Sequence, residues 1–392
     1  MLSFDEGYAK ILTLSERLKT ETISIKHAFG RVLAKDVMAT RPQPAGDISA
    51  MDGYALSGDA TKYVLIGEIA AGTNSNLNLE RGQCVRIFTG ALIPSGADRI
   101  LIQENAEIDG ENIKLKNPVS IGTHIRKKGA DFTPDFTLCA PLRLSADHIA
   151  LIAAMNNAEV IVFKKPKVAI MASGNELLTP GGNPERHHVI ASNAYGLKAL
   201  CDSEGVDATI VDIVKDDLGE IVAAIQNLKE FDIIVTTGGA SVGDHDHMPQ
   251  AITDAGFSLE IHKIAMRPGK PILLGKKGRQ ILLGLPGNPV SSMVTARIFL
   301  TALIKAAQGK VNPILEYEFA ILKNDISANE ERTHFMRAQI TISENENLAE
   351  VFNNQDSAMT SIMAKTNGLV VREPNQPKSS SGDKIKFLRI AR

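Results

Sequence analysis

Between residues 167 and 306 the apolar positions alternate between two periods. Lys167–Ala172, Val206–Val214, Phe231–Thr236, Pro271–Leu274 and Ile281–Leu285 are short apolar runs of the kind found in buried strands. Between them the spacing lengthens to a helical repeat. A helix is predicted from about Asn193 to Glu204, and after Asp216 the residues Leu218, Ile221, Val222, Ile225 and Leu228 share one helical face. Pro289 suits the first turn of a long, largely apolar helix running through Ala306. Strands alternating with helices predict a doubly wound parallel α/β sheet.

The flanking segments have a different pattern. Ser3 and Glu6 form a capping box for a first helix ending near Lys19, and residues 20–40 read as short strand and turn. Residues 41–140 are rich in Gly and Pro. Short alternating strands at Tyr63–Ile66, Cys84–Phe88, Arg99–Gln103 and Ile113–Leu115 predict a small β-rich domain there. Ser145 caps a short helix through Met155, which Asn156-Asn157 ends. From Gly309 to Arg392 short strands and turns return and predict a last small β domain.

Length and composition narrow the class. A chain of 392 residues exceeds one ordinary core, so two to four domains are expected. Apolar residues at 44% and charged residues at 22% are the balance of a globular protein, and with Trp absent and aromatics at 5% the cores are aliphatic. Net charge is −2, and the basic pairs Lys127-Lys128, Lys164-Lys165 and Lys276-Lys277 are short and scattered, which argues against a nucleic-acid surface. No apolar run is read as long enough to span a membrane, and Met1–Glu6 lacks the regions of a signal peptide, so a cytoplasmic protein without a membrane partner is expected. Cys84, Cys139 and Cys201 lie far apart, without metal spacing, which fits a reducing compartment.

The chemistry is expected at one edge of the sheet. Phe231–Thr236 empties into Thr237-Gly-Gly-Ala-Ser-Val-Gly-Asp244, and in a parallel sheet ligands bind at the carboxyl ends of strands. Gly238, Gly239 and Gly243 allow close backbone approach, and exposed N–H groups there suit an oxyanion. A second strand-to-helix turn, Pro286-Gly-Asn-Pro289, offers backbone donors from Gly287 and Asn288. Arg267 and Lys270 bracket a Pro-Gly turn and put two cations on one loop, a bidentate group and a point charge. Acids recur after strands: Glu176 after the first, Asp216 and Asp217 after the second, Asp244 and Asp246 after the third. A carboxylate cluster facing phosphate is the pattern of a Mg²⁺ site. In the β-rich part Asp52 sits on a Gly turn and Thr89 ends a strand.

Some patterns point elsewhere. Gly239-Ala-Ser-Val-Gly243 matches the nucleophile pattern of serine hydrolases, but Thr237-Gly-Gly precedes it and no helix start follows, so that reading is remote. His245 and His247 are two residues apart, a spacing that does not align ligands on a helix, and they read as loop, as do His187 and His188. There is no P-loop and no G-x-G-x-x-G.

Taken in order, the segments resemble the molybdopterin molybdenumtransferases, the MoeA family, which includes the C-terminal domain of the scaffold protein gephyrin. Those segments are Ser49-Ala-Met-Asp-Gly-Tyr-Ala55, Arg86-Ile-Phe-Thr-Gly-Ala91, Gly129-Ala-Asp131, Ser173-Gly-Asn-Glu-Leu177, Gly238–Asp246, Arg267-Pro-Gly-Lys-Pro271 and Leu285-Pro-Gly-Asn-Pro-Val-Ser291. The resemblance spans nearly the whole chain. It implies four parts: a molybdopterin-binding α/β domain at 1–19 and 168–307, a connecting domain at 20–38 and 140–167, a β-rich lobe at 39–139 and a C-terminal β-barrel-like domain at 308–392.

It also implies a Mg²⁺-dependent reaction in which molybdate enters adenylylated molybdopterin and AMP leaves. The implied catalytic set is Asp52, Thr89, Glu176, Asp216, Asp246 and Lys270, with metal held by Asp52, Glu176, Asp216 and Asp246. Gly238, Gly239, Ser241, Gly243, Arg267, Pro286, Gly287, Asn288 and Pro289 would bind the pterin and phosphate groups. A homodimer is implied, in which the β-rich lobe of one copy faces the sheet domain of the other, and the molybdopterin adenylyltransferase is a further implied partner. The chain departs from the family pattern at Asn175, Ala130 and Ala191, where an acid is common. The alternative is a regulatory paralogue or scaffold that binds molybdopterin without turnover.

Overall fold

The computed structural model describes residues 1–74, 76–116, 123–238, 247–310, 315–343 and 346–390. Two compact units emerge: Met1–Glu21 with Gly30–Ala34 and Val162–Arg392, and Thr22–Phe29 with Lys35–Ile161.

The first unit is built on a six-stranded sheet in the order Ala208–Ile210, Val168–Ala172, Ile233–Thr237, Gln280–Leu285, Leu273–Lys277, Ser258–His262. The first four strands are parallel, with Ala172 opposite Thr237 and Thr237 opposite Leu285. The last two are antiparallel, so the sheet is mixed rather than parallel throughout. The cause is local: only Gly278 and Arg279 join Leu273–Lys277 to Gln280–Leu285, and a two-residue connection permits only a hairpin.

Alternation along the strands feeds two cores. Val168, Ile170, Val235 and Leu283 pack with the helices Phe4–Leu14, Ser192–Ser203 and Pro289–Ala307, while Ala169, Met171, Ile234 and Leu282 pack with Leu218–Asn227 and Met248–Asp254. Helices therefore cover both faces, as expected for a doubly wound sheet.

Caps set the helix ends. The Ser3–Glu6 capping box is present, but the first helix stops at Leu14 instead of near Lys19. Past it, the Leu18 N–H donates to Ala307 O, so a tertiary bond wins over the good helix formers Arg17 and Lys19. The helix Pro289–Ala307, 19 residues long, is apolar enough to span a membrane, which corrects the sequence reading; it is mostly buried in the core. Its Ser and Thr residues interrupt the apolar run while leaving the mean hydropathy high.

A closed five-stranded barrel follows: Thr333–Ile342, Asn347–Val351, Tyr317–Leu322, Lys384–Arg389 and Gly368–Arg372, the last pairing back to the first. Thr333 and His334 also pair with the two-residue strand Met266–Arg267, tying the barrel to the sheet. Phe335 reaches the first helix, its ring 4.9 Å from that of Phe4.

His334 sits at this junction. Burial, reinforced by Arg267, Arg332, Arg337 and Arg372, pushes its imidazole down to about 4. The folded state therefore keeps it neutral, whereas the unfolded chain binds a proton below about pH 6.5. Stability from this group is complete above that pH and is lost as pH falls toward 4, by about 3 kcal/mol at the limit. Urea unfolding of His334→Gln across pH 7 to 4 is expected to show a shallower decline than the parent; equal slopes would contradict it.

The second unit holds a six-stranded sheet in the order Arg99–Ile102, Gly53–Leu56, Gln83–Ile87, Lys62–Ile69, Asn112–Leu115, Ala106–Asp109. It is the β-rich region that the alternating pattern predicted. Tyr54, Leu56 and Tyr63 pack on one side, and Ala55, Val85 and Ile87 on the other.

Candidate functional site

Three parallel strands of the first unit end side by side. Val168–Ala172 runs into Ser173-Gly-Asn-Glu176, Ile233–Thr237 into Gly238, and Gln280–Leu285 into Pro286-Gly-Asn288 ahead of the long helix. The backbones come very close: Gly238 has φ +92°, and a Cβ there would lie 2.2 Å from Ser173 O. A cavity of about 590 Å³ opens at this edge. Its lining includes Glu176, Gly238, Lys270, Pro286, Gly287, Asn288 and Pro289 among the residues expected from sequence.

Asn193, which the sequence reading passed over, ties the edge together. Its Nδ2 donates to Thr237 Oγ1 and to Gly287 O, both at 2.8 Å, so one amide bridges the ends of two neighbouring strands. An asparagine beside a helix start reads as local capping, which hid this role. Asn193→Ala is expected to cost about 1–2 kcal/mol of stability and to raise KM far more than it lowers kcat, because the turns lose their fixed spacing. Steady-state kinetics with a melting curve checks both; a pure kcat loss would contradict it.

The two acids after the second strand divide their roles. Asp217 caps the helix Leu218–Asn227 by accepting from the Glu220 N–H at 3.1 Å. The Asp216 main-chain N–H donates to Asn175 Oδ1 at 3.2 Å, while its own Oδ1 is buried without a partner among the described residues. Glu176 is exposed.

Arg267 and Lys270 line different cavities. Lys270 lines the cavity, and no ion pair to it is present among the described residues. Arg267 lies 3.8 Å from Glu330 and lines a separate cavity of about 380 Å³ with His334 and Arg372. The pairing of Met266–Arg267 with the barrel strand fixes Arg267 there, and that long-range contact is invisible in the local motif. Asn288 also bonds through its side chain to a segment far along the sequence. Its Nδ2 donates to Ser357 Oγ at 2.9 Å, and the Val290 N–H donates to Ser357 O.

In the second unit Asp52 and Thr89 meet. The Thr89 N–H and Oγ1 both donate to Asp52 Oδ1, at 2.7 and 2.8 Å, and these bonds, the backbone one foremost, hold the Asp52 carboxyl below its usual range. Gly239, Ser241, Gly243 and Asp246 lie outside the described residues, as does the whole of the hydrolase-like pentapeptide. Among the described residues no three His, Cys, Asp or Glu side chains converge as a metal site.

Comparison with known proteins gives three successive matches. The MoeA N-terminal region (domain I and II) matches residues 2–156, the probable molybdopterin binding domain 169–306, and the MoeA C-terminal region (domain IV) 320–390. A molybdopterin molybdenumtransferase of Bacillus subtilis is 30% identical over 401 residues, covering 98% of this chain and 93% of its own. One from Nostoc sp. is 35% identical over 313 residues, covering 76% and 71%. A crystal structure of the molybdopterin biosynthesis MoeA protein from Pyrococcus horikosii superposes with a TM-score of 0.82 at 25% identity, covering 99% of each chain.

Proposed function

The chain belongs to the MoeA family of molybdopterin molybdenumtransferases and works in molybdenum cofactor biosynthesis, and on that premise we propose that it inserts molybdate into adenylylated molybdopterin, releasing AMP. The observation that carries this reading is the cavity at the carboxyl ends of the parallel strands, about 590 Å³ with glycine turns and a lysine in its wall. Such a volume suits a pterin with its phosphate groups. In this reading Gly238 lets the substrate approach the backbone, Asn193 holds the two turns at a fixed distance, and Lys270 meets an oxyanion as a point charge. The dithiolene thiols of the substrate take up the metal as molybdate oxygen leaves as water, a water molecule adds across the phosphoanhydride to give AMP and the pterin phosphate, and no protein nucleophile takes part.

Mg²⁺ is part of the proposal. The orphaned Oδ1 of Asp216 supports the fit, since a carboxylate oxygen shut away from solvent calls for a cation or a donor. Asp216 and Glu176 would hold the ion with water and phosphate oxygens completing its shell, a donor set ordinary for Mg²⁺. Asp246 and Asp52 belong to the same proposed set. Bound there, Mg²⁺ supplies charge neutralisation at the anhydride. We also read the assembly as a homodimer in which the Asp52–Thr89 pair of one copy serves the cavity of the other, and the cytoplasm as its compartment. The three free cysteines support a reducing environment.

Reconstitution tests the proposal. Incubated with adenylylated molybdopterin and molybdate, the protein is expected to yield a product that activates a cofactor-free molybdoenzyme. Tight substrate binding with no activating product would instead mark a paralogue that stores the pterin.

A further inference from the structure

We propose that Asn175 is a positioning residue for the metal site: its side-chain carbonyl holds Asp216 in place, and its lack of charge sets how tightly the cation is bound. The proposal rests on reading Asp216 and Glu176 as the Mg²⁺ ligands, and it adds a residue that acts through one of them.

Asp216 lies past the point where regular pairing of the edge strand Ala208–Ile210 ends. The residues around it are anchored by their backbones. The Val214 N–H donates to Ala172 O at 2.9 Å, its carbonyl accepts from the Gly174 N–H at 3.1 Å, and it bridges Ser173. The Asp217 N–H donates to Lys215 O at 2.8 Å, and its side chain caps the following helix. Asp216 sits between these fixed points with one hydrogen bond among the described residues, from its own N–H to Asn175 Oδ1 at 3.2 Å. Its Oδ1 has no partner there, so no bond to the carboxylate orients it. What fixes Asp216 itself is a side chain, which can be replaced without disturbing the backbone of either segment.

The other proposed ligand starts from the same turn. Asn175 stands between Gly174 and Glu176. The Glu176 carboxylate folds back over Gly174, where a Cβ would stand 2.8 Å from each of its oxygens. One turn therefore carries the Glu176 carboxylate and, through Asn175, fixes the residue that carries the second. A ligand whose backbone is already held loses less freedom when it takes a cation, so the bond raises affinity without touching the ion.

Asparagine does this without charge. An aspartate in its place accepts the same N–H and adds a third negative charge beside the two acids, which favours a divalent cation. Alanine removes the acceptor and adds no charge. The two substitutions are therefore expected to move metal affinity in opposite directions, which a merely structural asparagine would not produce.

Titration of Mn²⁺, followed by electron paramagnetic resonance, and of Mg²⁺ by calorimetry, each into the full chain with and without AMP, tests this on Asn175→Ala and Asn175→Asp. Asn175→Ala is expected to weaken metal binding by about fivefold while Tm stays within about 3 °C of the parent. Asn175→Asp is expected to tighten it by about threefold or more. Amide hydrogen exchange gives a readout that needs no metal. The Asp216 N–H is expected to exchange at least about fivefold faster in Asn175→Ala and at the parental rate in Asn175→Asp.

Unchanged metal affinity in folded Asn175→Ala overturns the proposal, and so does Asp216 exchange equal to that of the parent. Affinity lowered equally in both variants also overturns it, because the retained acceptor would then count for nothing. Should Asn175→Ala fail to fold, unchanged or weakened affinity in Asn175→Asp overturns it. A parent that binds neither ion sinks it together with the metal reading of Asp216 and Glu176. The reconstitution assay keeps the transfer reading separate. Metal affinity that follows Asn175, with no cofactor formed by the parent, keeps the proposal and sinks molybdenum transfer; cofactor formed by the parent, with metal affinity unchanged in Asn175→Ala, does the reverse.

Discussion

Gly238→Ala is expected to lose about 3 kcal/mol of stability and at least about a hundredfold in cofactor formation. Two independent facts converge on this residue. Its φ of +92° is a conformation that side chains rarely adopt, and the added Cβ would meet Ser173 O at 2.2 Å. The obstacle is a backbone oxygen on the adjacent strand end, so no rotamer change relieves it. The strand ends must separate, and the spacing that Asn193 enforces is lost with them. Gly287→Ala is the control, because a Cβ there meets its nearest atom, Gly238 Cα, at an ordinary 3.6 Å. Its stability is expected to stay within about 0.5 kcal/mol of the parent. Denaturant unfolding of both variants checks the pair, and equal losses would refute the steric account.

Asp216→Asn is expected to lower the rate by about a hundredfold to a thousandfold while changing stability by less than about 1 kcal/mol. The contact with Asn175 runs through the Asp216 main-chain N–H and survives the change. What disappears is the charge on a carboxylate whose Oδ1 has no protein partner among the described residues. The neighbouring Asp217→Ala should do the opposite: it removes a helix cap worth about 1 kcal/mol and leaves the rate nearly intact. Rates and unfolding curves for the two variants form a crossed comparison. Loss of rate in Asp217→Ala, or full rate in Asp216→Asn, would remove Asp216 from the proposed metal set.

Much of the fold was legible where local chemistry decides it. The caps at Ser3 and Ser145 lie where the residue types required them, whereas Asp217, read only as one of the acids after the second strand, is a cap as well. The apolar runs Lys167–Ala172 and Phe231–Thr236 marked buried strands, which the structure shows at Val168–Ala172 and Ile233–Thr237. Tertiary contacts overrode the sequence elsewhere. Val206–Val214 reads as one long strand, but regular pairing covers only Ala208–Ile210, and Val214 rejoins the neighbouring strand end through an isolated bridge to Ser173. The strand Leu273–Lys277 outlasts its apolar run by Gly275 and two lysines, and both lysines are held by carbonyls: Lys276 Nζ donates to Leu14 O, and Lys277 Nζ to Ala255 O.

The site divides the same way. Glycine and proline turns at strand ends are local signals, and Gly238, Gly287 and Pro289 were read from them. The direction of Arg267 and the bridging role of Asn193 depend on partners 63 or more and 44 or more residues away respectively, and no local pattern carries that information.

The central claim is molybdate transfer from an adenylylated substrate, and AMP release by the purified protein tests it most directly. The account predicts that AMP appears only when molybdate and Mg²⁺ are both supplied. AMP released at the same rate without molybdate, or substrate bound tightly with no AMP under full conditions, would contradict it.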